Sequence, residues 1–415
     1  MNEKDILNSP VPVAVVFPAR QTNSLGVIRS LGKRGIPVIG LDNQPMSVGF
    51  YSRFCKGMLC PGPAQDAVHF IQYLVNLGKR LKTKGVLYLM DDYYVFLATK
   101  YREMLEKYFL FSFLDFEAIH NCMDKSRMYM AAKELGIPVP KTYLPDNSED
   151  ISEIAREISY PCLIKPVGKF EITGNSAEKV YGFFRKYGKA LRAPDEKSLF
   201  RLLEEVTRHG FRVVVQEEIS GGPDQLYSLG VYCNKDSEIL MTFTGRKLRQ
   251  IPPDFGTCTL AEAVNEPLLI DYGKRFLKEI KFWGIAELEF KKDRNDGEYK
   301  FLEINPRAWT WISLATACGV DLAHTAYLDL TGQQVIASSQ DFSKVKWIDL
   351  AKDIICFLKY RTGDRYIAGM TFKQWLLSLR GPKTFIYFNE TDPLPGILIP
   401  LQLLRSRLGR EVTSF

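Results

Sequence analysis

The chain has no Cys-x-x-Cys pair and no Cys/His cluster at metal-ligand spacing. Its eight cysteines, Cys55, Cys60, Cys122, Cys162, Cys233, Cys258, Cys318 and Cys356, stand singly. They read as reduced, buried thiols of a cytoplasmic protein, which argues against a disulfide framework or a zinc module. The four histidines, His69, His120, His209 and His324, form no Ser-His-Asp or Cys-His arrangement. No apolar run reaches the ~20 residues needed to span a bilayer. The polar start Met1-Asn2-Glu3-Lys4-Asp5 lacks the apolar core of a signal peptide. No RNP-like, zinc-finger or basic-zipper pattern is present, so nucleic acid is not an expected partner. No G-x-G-x-x-G follows the first strand, which weakens a dinucleotide reading. Sequence repeats and low-complexity tracts are also missing.

What is present is a globular composition, 46% hydrophobic and 12% aromatic, over 415 residues, a length that implies two or three domains. The net charge of +7 is spread along the chain. It fits anionic small-molecule substrates and a weak attraction to acidic surfaces. Residues 11–120 read as an α/β unit. Strands at 13–17 and 38–42 flank a helix at 25–33 closed by Gly35, and a later strand at 86–90 ends at Asp91-Asp92. Short β-α-β loops imply a parallel sheet with right-handed crossovers. Ligands of such sheets gather at strand carboxyl ends, so the loop 18–24, Asp42 and Asp91 are candidate substrate contacts.

Farther on, residues 284–292 and 298–307 alternate as two strands around Asp293-Arg294-Asn295-Asp296-Gly297. A three-residue loop Asn295-Asp296-Gly297, with Gly297 left-handed, centres the hairpin on Asp296. That register puts Glu289 opposite Glu303 and Glu287 opposite Asn305. Facing carboxylates repel unless a cation lies between them, and Mg²⁺ shared with substrate phosphates would supply one. A two-residue Asp296-Gly297 turn would instead put Glu289 and Glu303 on opposite faces.

Cationic and hinge features precede the hairpin. A helix at 126–135, closed by Gly136, begins beside Lys125, and a helix N-terminus favours anions. Lys165 ends a strand at 162–165 just before Pro166, a point charge suited to phosphate oxygens. Either lysine alone would be an ordinary solvated charge. With the acidic hairpin, nucleotide phosphate becomes the better reading. Residues 148–158 and 196–208 read as helices, and 167–190 as a long loop without clear period. A strand at 212–216 runs into Gln216-Glu217-Glu218-Ile219 before Gly221-Gly222, a hinge that offers backbone groups to an adenine edge. Further strands are expected at 226–232 and 239–243, an amphipathic helix at 267–280, and a helix after Arg307 through Trp309, Trp311 and Leu314.

Taken in order, Asp124-Lys125, Leu163-Ile164-Lys165-Pro166, Val215-Gln216-Glu217-Glu218-Ile219, Leu288-Glu289-Phe290 and Glu303-Ile304-Asn305-Pro306-Arg307 resemble the ATP-grasp superfamily over residues 115–335. The run from Gly245-Arg246-Lys247 to Pro252-Pro253, with the hairpin, resembles its carboxylate–amine ligase branch, which includes D-aspartate ligases. The resemblance implies an α/β and α+β chain. A Rossmann-like pre-ATP-grasp domain would occupy 1–120, a two-lobed ATP-grasp domain 121–335 (lobes 121–215 and 216–335), and a partly helical C-terminal extension 336–415. It implies an ATP-dependent ligase joining a small-molecule carboxylate to an amine through an acyl phosphate, with two Mg²⁺ ions and Mn²⁺ as a substitute.

Carried over residue by residue, Lys125 and Lys165 would bind ATP phosphates. Gln216, Glu217 and Ile219 would hold adenine, the latter two through backbone, and Gln225 would reach the ribose. Glu289, Glu303 and Asn305 would ligate Mg²⁺, with Glu303 bridging two ions. Arg307 would face the acyl phosphate or the incoming carboxylate. Position 287 is Glu where D-alanine–D-alanine ligases carry an oxyanion-stabilising Arg, so that role would pass to Arg307, Arg246 or Lys247. Residues 167–190 lack the usual short glycine-rich phosphate loop, which leaves Lys186 and Lys189 for the lid contact.

Two alternatives stay open, an acceptor other than an amine and a nucleotide-binding scaffold without turnover. Oligomeric state is open too; homodimers are common in relatives. The tail pairs Leu and Ile over 397–410 with Arg405, Arg407 and Arg410. It would pack on the catalytic domain or lie peripherally on the inner face of an anionic membrane.

Overall fold

The structure is a computed structural model that describes residues 2–63, 66–145, 148–168, 183–184, 190–336, 338–341, 345–362 and 369–399. Three sheets organise it. The first is parallel and has five strands: β1 (Ala14–Phe17), β2 (Val38–Asp42), β3 (Cys55–Leu59), β4 (Gly85–Leu89) and β5 (Phe109–Leu110), in the order β3-β2-β1-β4-β5. β1, β2 and β4 are buried along their whole length. A strand covered on both faces favours apolar residues nearly throughout, which is why these three read as apolar runs, interrupted only where β2 ends at buried Asp42. The strand order reverses at β1 and β4, and the carboxyl ends of those two strands open a crevice.

The second sheet has four antiparallel strands: β6 (Thr142–Tyr143), β7 (Cys162–Pro166), β8 (Leu191–Ala193) and β9 (Val213–Glu217), ordered β6-β9-β7-β8. The helices Ser148–Glu157 and Glu196–Arg208 supply Ile154, Leu199 and Leu203 to a small core shared with Ile164 and Val215.

The third sheet has seven strands: β10 (Leu226–Cys233), β11 (Ile239–Ile251), β12 (Thr257–Ala263), β13 (Gly284–Lys292), β14 (Tyr299–Asn305), β15 (Lys346–Ile348) and β16 (Lys383–Phe385). Their order is β14-β13-β10-β11-β12-β15-β16. Strand β11 runs far beyond the expected 239–243, and β12 is an additional strand. The segment Gly245-Arg246-Lys247-Leu248-Arg249-Gln250 shows no apolar alternation. Its cations are matched instead by distant acids: Arg246 by Glu262, Lys247 by Glu289 and Arg249 by Asp353.

The helix after Arg307 is also shorter than expected, Ile312–Ala317. Trp309 and Trp311 precede it, buried against the third sheet. A Cβ added to Gly230 would lie 2.1 Å from the Trp309 ring, and one added to Gly245 would lie 2.5 Å from Trp311. The two glycines leave room for the indoles against the strands, where the two rings stand at 90° to each other.

Residues 386–392 fasten to the parallel-sheet unit. Buried Asp392 accepts from Arg29 Nε at 2.8 Å and from the Ser52 hydroxyl at 2.9 Å. Arg29 also donates to the Ile386 and Tyr387 carbonyls. Among the described residues no helix is long and apolar enough to cross a membrane. Residues 400–415, most of the tail proposed for packing or membrane contact, lie outside the described residues.

Candidate active site

Side chains alternate along a strand, so Glu287 and Glu289 of β13 share one face of the sheet. On β14, Asn305 pairs with Glu287 and Glu303 with Glu289, the register expected from the sequence. Its origin differs from the expected one. The ladder begins as Lys292–Tyr299, Lys291–Lys300 and Phe290–Phe301, and continued without interruption it would set Glu289 against Leu302. A register shift past Phe290 leaves Leu302 as a bulge and brings Glu303 opposite Glu289. Gly297 is left-handed as expected, φ 77°, inside a longer turn closed by the Asp293 N–H on the Glu298 carbonyl at 2.8 Å.

Strands β10 and β11 complete the face. The Ser228 hydroxyl donates to Glu287 Oε1 at 2.7 Å, and the Asn305 amide donates to Glu287 Oε2 at 3.1 Å. Lys247 is buried and reaches Glu289 at 3.1 Å. Burial first, then the charge on Glu289, drives the Glu287 carboxyl above its ordinary range. Burial works against the Lys247 ammonium, yet Glu289 and Glu287 hold it well above the usual lysine value.

The face therefore carries more carboxylate than ammonium in a poorly hydrated place. Glu289, Glu303 and Asn305 offer hard oxygens of the kind Mg²⁺ takes, and a divalent ion would relieve the crowding of like charge. Among the described residues no three His, Cys, Asp or Glu side chains form a ready metal cluster. The set offered here is two carboxylates and an amide, the hard oxygen donors that suit Mg²⁺.

Lys165, on β7, donates to Gln216 Oε1 at 2.7 Å. Burial, then the positive charge of Lys125, depresses its ammonium to about 8. Glu303 is a further charge acting on it. The β7 lysine, the Lys125 charge and the β14 carboxylate thus converge from different elements. Two cations held in each other's field beside an acidic face are the charge arrangement a metal-bridged polyphosphate would require. Lys125 opens the helix Lys125–Glu134, with Asp124 accepting from the Ser126 and Arg127 N–H groups, and its own N–H binds the Val167 carbonyl at 3.0 Å.

The hinge is engaged in ways the sequence did not reveal. The Gln216 side chain accepts from Lys165 and donates to Thr142 Oγ1 at 2.8 Å, so it positions the lysine and is not directed to adenine as expected. Glu217 exchanges bonds with Lys141: its N–H meets the Lys141 carbonyl at 2.9 Å, and its carboxylate accepts the Lys141 N–H at 2.7 Å. The Ile219 carbonyl accepts from Lys291 Nζ at 2.7 Å. Gln225 donates to Asp224 at 3.0 Å, and Arg294 holds Asp224 at 3.1 Å. Lys186 and Lys189 lie outside the described residues.

Arg307 follows β14 and pairs with Asp92, at the end of the parallel sheet, at 3.0 Å. Its Nη2 is 3.4 Å from Asn305 Oδ1. Asn23 donates to the carbonyls of Met90 at 3.2 Å and Ala308 at 3.0 Å, which pins the parallel-sheet crevice to the end of β14. Arg246 requires a correction. Next to Lys247 on β11, it faces the other side of the sheet, paired with Glu262 and over the Tyr227 ring at 5.9 Å. It therefore lies away from Lys247 and the Glu287–Glu289 face, against the expectation that it would serve there. Asp42 is corrected as well: it is fully buried and accepts from both the Arg20 N–H and Arg20 Nη1 at 2.7 Å. Asp91 accepts from the Tyr93 N–H as a helix cap. Ser228 and Lys291 belong to the site without having been singled out. Lys291, two residues beyond Glu289 on the same strand face, carried the one signal that could have found it.

No protein-family model matches the chain. Over 342 residues it is 25% identical to the D-aspartate ligase of Enterococcus faecium, covering 78% of this chain and 79% of that one. N5-carboxyaminoimidazole synthetase from Staphylococcus aureus superposes with a TM-score of 0.63 at 16% identity, over 85% of this chain and 86% of that one.

The chain resembles the ATP-grasp carboxylate–amine ligases and shares their fold.

Relatives and neighbours in that group are ligases of the C–N bond-forming class. L-amino acid ligase from Bacillus licheniformis shares the ATP-grasp architecture, with a TM-score of 0.56 at 15% identity, over 77% of this chain and 74% of that one. The match to the C-terminal section of the carbamoyl phosphate synthase large chain of Methanopyrus kandleri spans only 38% of that protein. The parallel-sheet crevice meets the acidic face at Arg307, which pairs with Asp92.

Proposed function

We propose that the chain is an ATP-grasp ligase and joins a small-molecule acid to an amine through an acyl phosphate, releasing ADP and phosphate. The observation that carries the reading is the single sheet face shared by Glu287, Glu289, Glu303, Asn305 and buried Lys247, within the field of Lys165. Lys125 and Lys165 would take phosphate oxygens, and backbone groups of residues 217–219 the adenine. Glu289, Glu303 and Asn305 would hold Mg²⁺, Glu303 shared between two ions, with Mn²⁺ as a substitute. The metal would supply neutralisation of charge on the β- and γ-phosphates.

A carboxylate oxygen of the acid attacks the γ-phosphorus, and the bond to ADP breaks. The amine nitrogen then attacks the acyl carbon, phosphate departs, and the amine loses its proton. Arg307 and Lys247 are the cations available to steady the oxyanion between those events. The likeness to a D-aspartate ligase makes an acidic amino acid the first acid to test.

The deciding experiment is ADP release across panels of acids and amines. Release that needs both partners is expected. Release with the acid alone would point to another acceptor, and none with any pair would contradict ligation. A second test uses pH. The Lys165 ammonium ionises at about 8, so above that pH the free enzyme loses a positive charge that ATP needs. The kcat/KM for ATP is expected to fall as pH rises past 8. In Lys165→Gln the decline should vanish, along with roughly tenfold or more of the ATP affinity. A wild-type profile that stays flat to pH 9.5 would remove Lys165 from the phosphate site.

A further inference from the structure

We infer that the crevice at the carboxyl ends of β1 and β4 is a subsite for a second anionic group on the acid substrate, and that Arg20 is the residue that reads it. The inference rests on the ligase reading above. Arg20 lies just beyond β1. Asp42, fully buried at the end of β2, accepts its backbone N–H and its Nη1, each at 2.7 Å, and Asn43 accepts from the same Nη1 at 3.0 Å. The bonds to Asp42 and Asn43 both use Nη1, Tyr94 also hydrogen-bonds the side chain, and 32% of it stays open. The guanidinium is therefore held in place with part of it still open to a ligand. An arginine fork fixed in advance loses little freedom when it binds a carboxylate or phosphate, and it binds them bidentately.

The position of Arg20 relative to the reacting groups gives the subsite its meaning. Tyr94, from the helix Asp92–Lys100, stands within reach of both Arg20 and Asp91. Asp91 and Asp92 in turn lie in the field of Arg307, as do Glu287 and Glu303. The bonds of Asn23 to Met90 and Ala308 hold the middle of this row together. A continuous row of polar groups thus runs from the acidic sheet face, past Arg307 and Asp91, to Arg20. The reacting carboxylate must lie at the Glu303 and Arg307 end, next to the transferred phosphoryl group. The remainder of the acid then extends toward Arg20. An acid with one carboxylate leaves the open part of that guanidinium unused, whereas one bearing a second carboxylate or a phosphate engages it. The acidic residues midway favour an ammonium between the two anionic ends.

Calorimetric binding to the full chain, without nucleotide, tests this with three probes: aspartate, O-phosphoserine and alanine. Wild type is expected to bind at least one of the first two tenfold or more tighter than alanine. The tighter of the two identifies the second group as carboxylate or phosphate. Arg20→Gln should erase the preference while leaving alanine affinity unchanged, with a lowered melting curve because buried Asp42 loses its countercharge. A preference that survives in folded Arg20→Gln, or wild type that binds neither anionic probe better than alanine, overturns the proposal. Should Arg20→Gln fail to fold, Arg20→Lys decides, because it keeps the charge beside Asp42 and loses the fork. Its preference must fall threefold or more, and an undiminished preference overturns the inference. Binding is read without turnover, so failure here is distinct from failure of the ligase reading, which would show as no ADP from any acid–amine pair.

Discussion

Glu303→Gln is expected to abolish ADP release while leaving the circular dichroism spectrum and melting curve unchanged. The substitution keeps the size and the hydrogen-bonding shape of the side chain and removes one charge. That charge sits opposite Glu289 across the ladder and within the field of both Lys165 and Arg307. On the proposed metal assignment, the face would then lose the ligand shared between the ions, and negative charge on the transferred phosphoryl group would go uncompensated. A loss of about a thousandfold in kcat, ~4 kcal/mol at the transition state, is the expected scale. Wild-type turnover in a folded Glu303→Gln would contradict the metal assignment.

The second large effect is on stability and lies far from the chemistry. Asp353 is fully buried and accepts from Arg249 through both oxygens, at 2.8 and 2.7 Å, from the Thr259 hydroxyl at 2.8 Å and from the Trp375 indole at 2.9 Å. This network fastens the helices Leu350–Tyr360 and Phe372–Ser378 to β11 and β12. Asp353→Ala would leave the Arg249 guanidinium buried with its countercharge gone. Such a loss costs ~3–5 kcal/mol, more than the intact pair contributes, because the surviving charge stays out of water. Urea unfolding should show a clearly lowered midpoint for Asp353→Ala and a smaller shift for Asp353→Asn, which keeps part of the hydrogen bonding. A midpoint equal to wild type would show that Arg249 finds solvent, contrary to its burial.

Legibility in the sequence followed the range of the interactions. Strands β1, β2 and β4 could be read because their burial favours apolar residues nearly throughout. The acidic face could be read because alternation and a left-handed Gly297 are local properties. The Leu302 bulge that sets its register could not, since a bulge exists only relative to a partner strand. Most of β11 was opaque because its charged residues are satisfied by Glu262, Glu289 and Asp353, each supplied from elsewhere in the chain. The separation of Arg246 from Lys247 is a matter of strand parity and becomes visible only once β11 is known to be a strand there. Gln216 looked like a hinge ligand because nothing nearby in sequence hinted at Thr142, its distant partner. Asp42 looked like a substrate contact because it ends a strand, and its pairing with Arg20 gives that position a different task. The indoles of Trp309 and Trp311 suggested helix, and the glycines that leave room for them lie on two other strands, far off in sequence.

The most direct test of the central claim is a crystal of the chain with a non-hydrolysable ATP analogue and Mn²⁺, with the metal located by its anomalous signal. The account predicts manganese ligated by Glu289, Glu303 and Asn305, beneath phosphates held by Lys125 and Lys165. Manganese bound elsewhere, with those three side chains away from the triphosphate, would contradict it.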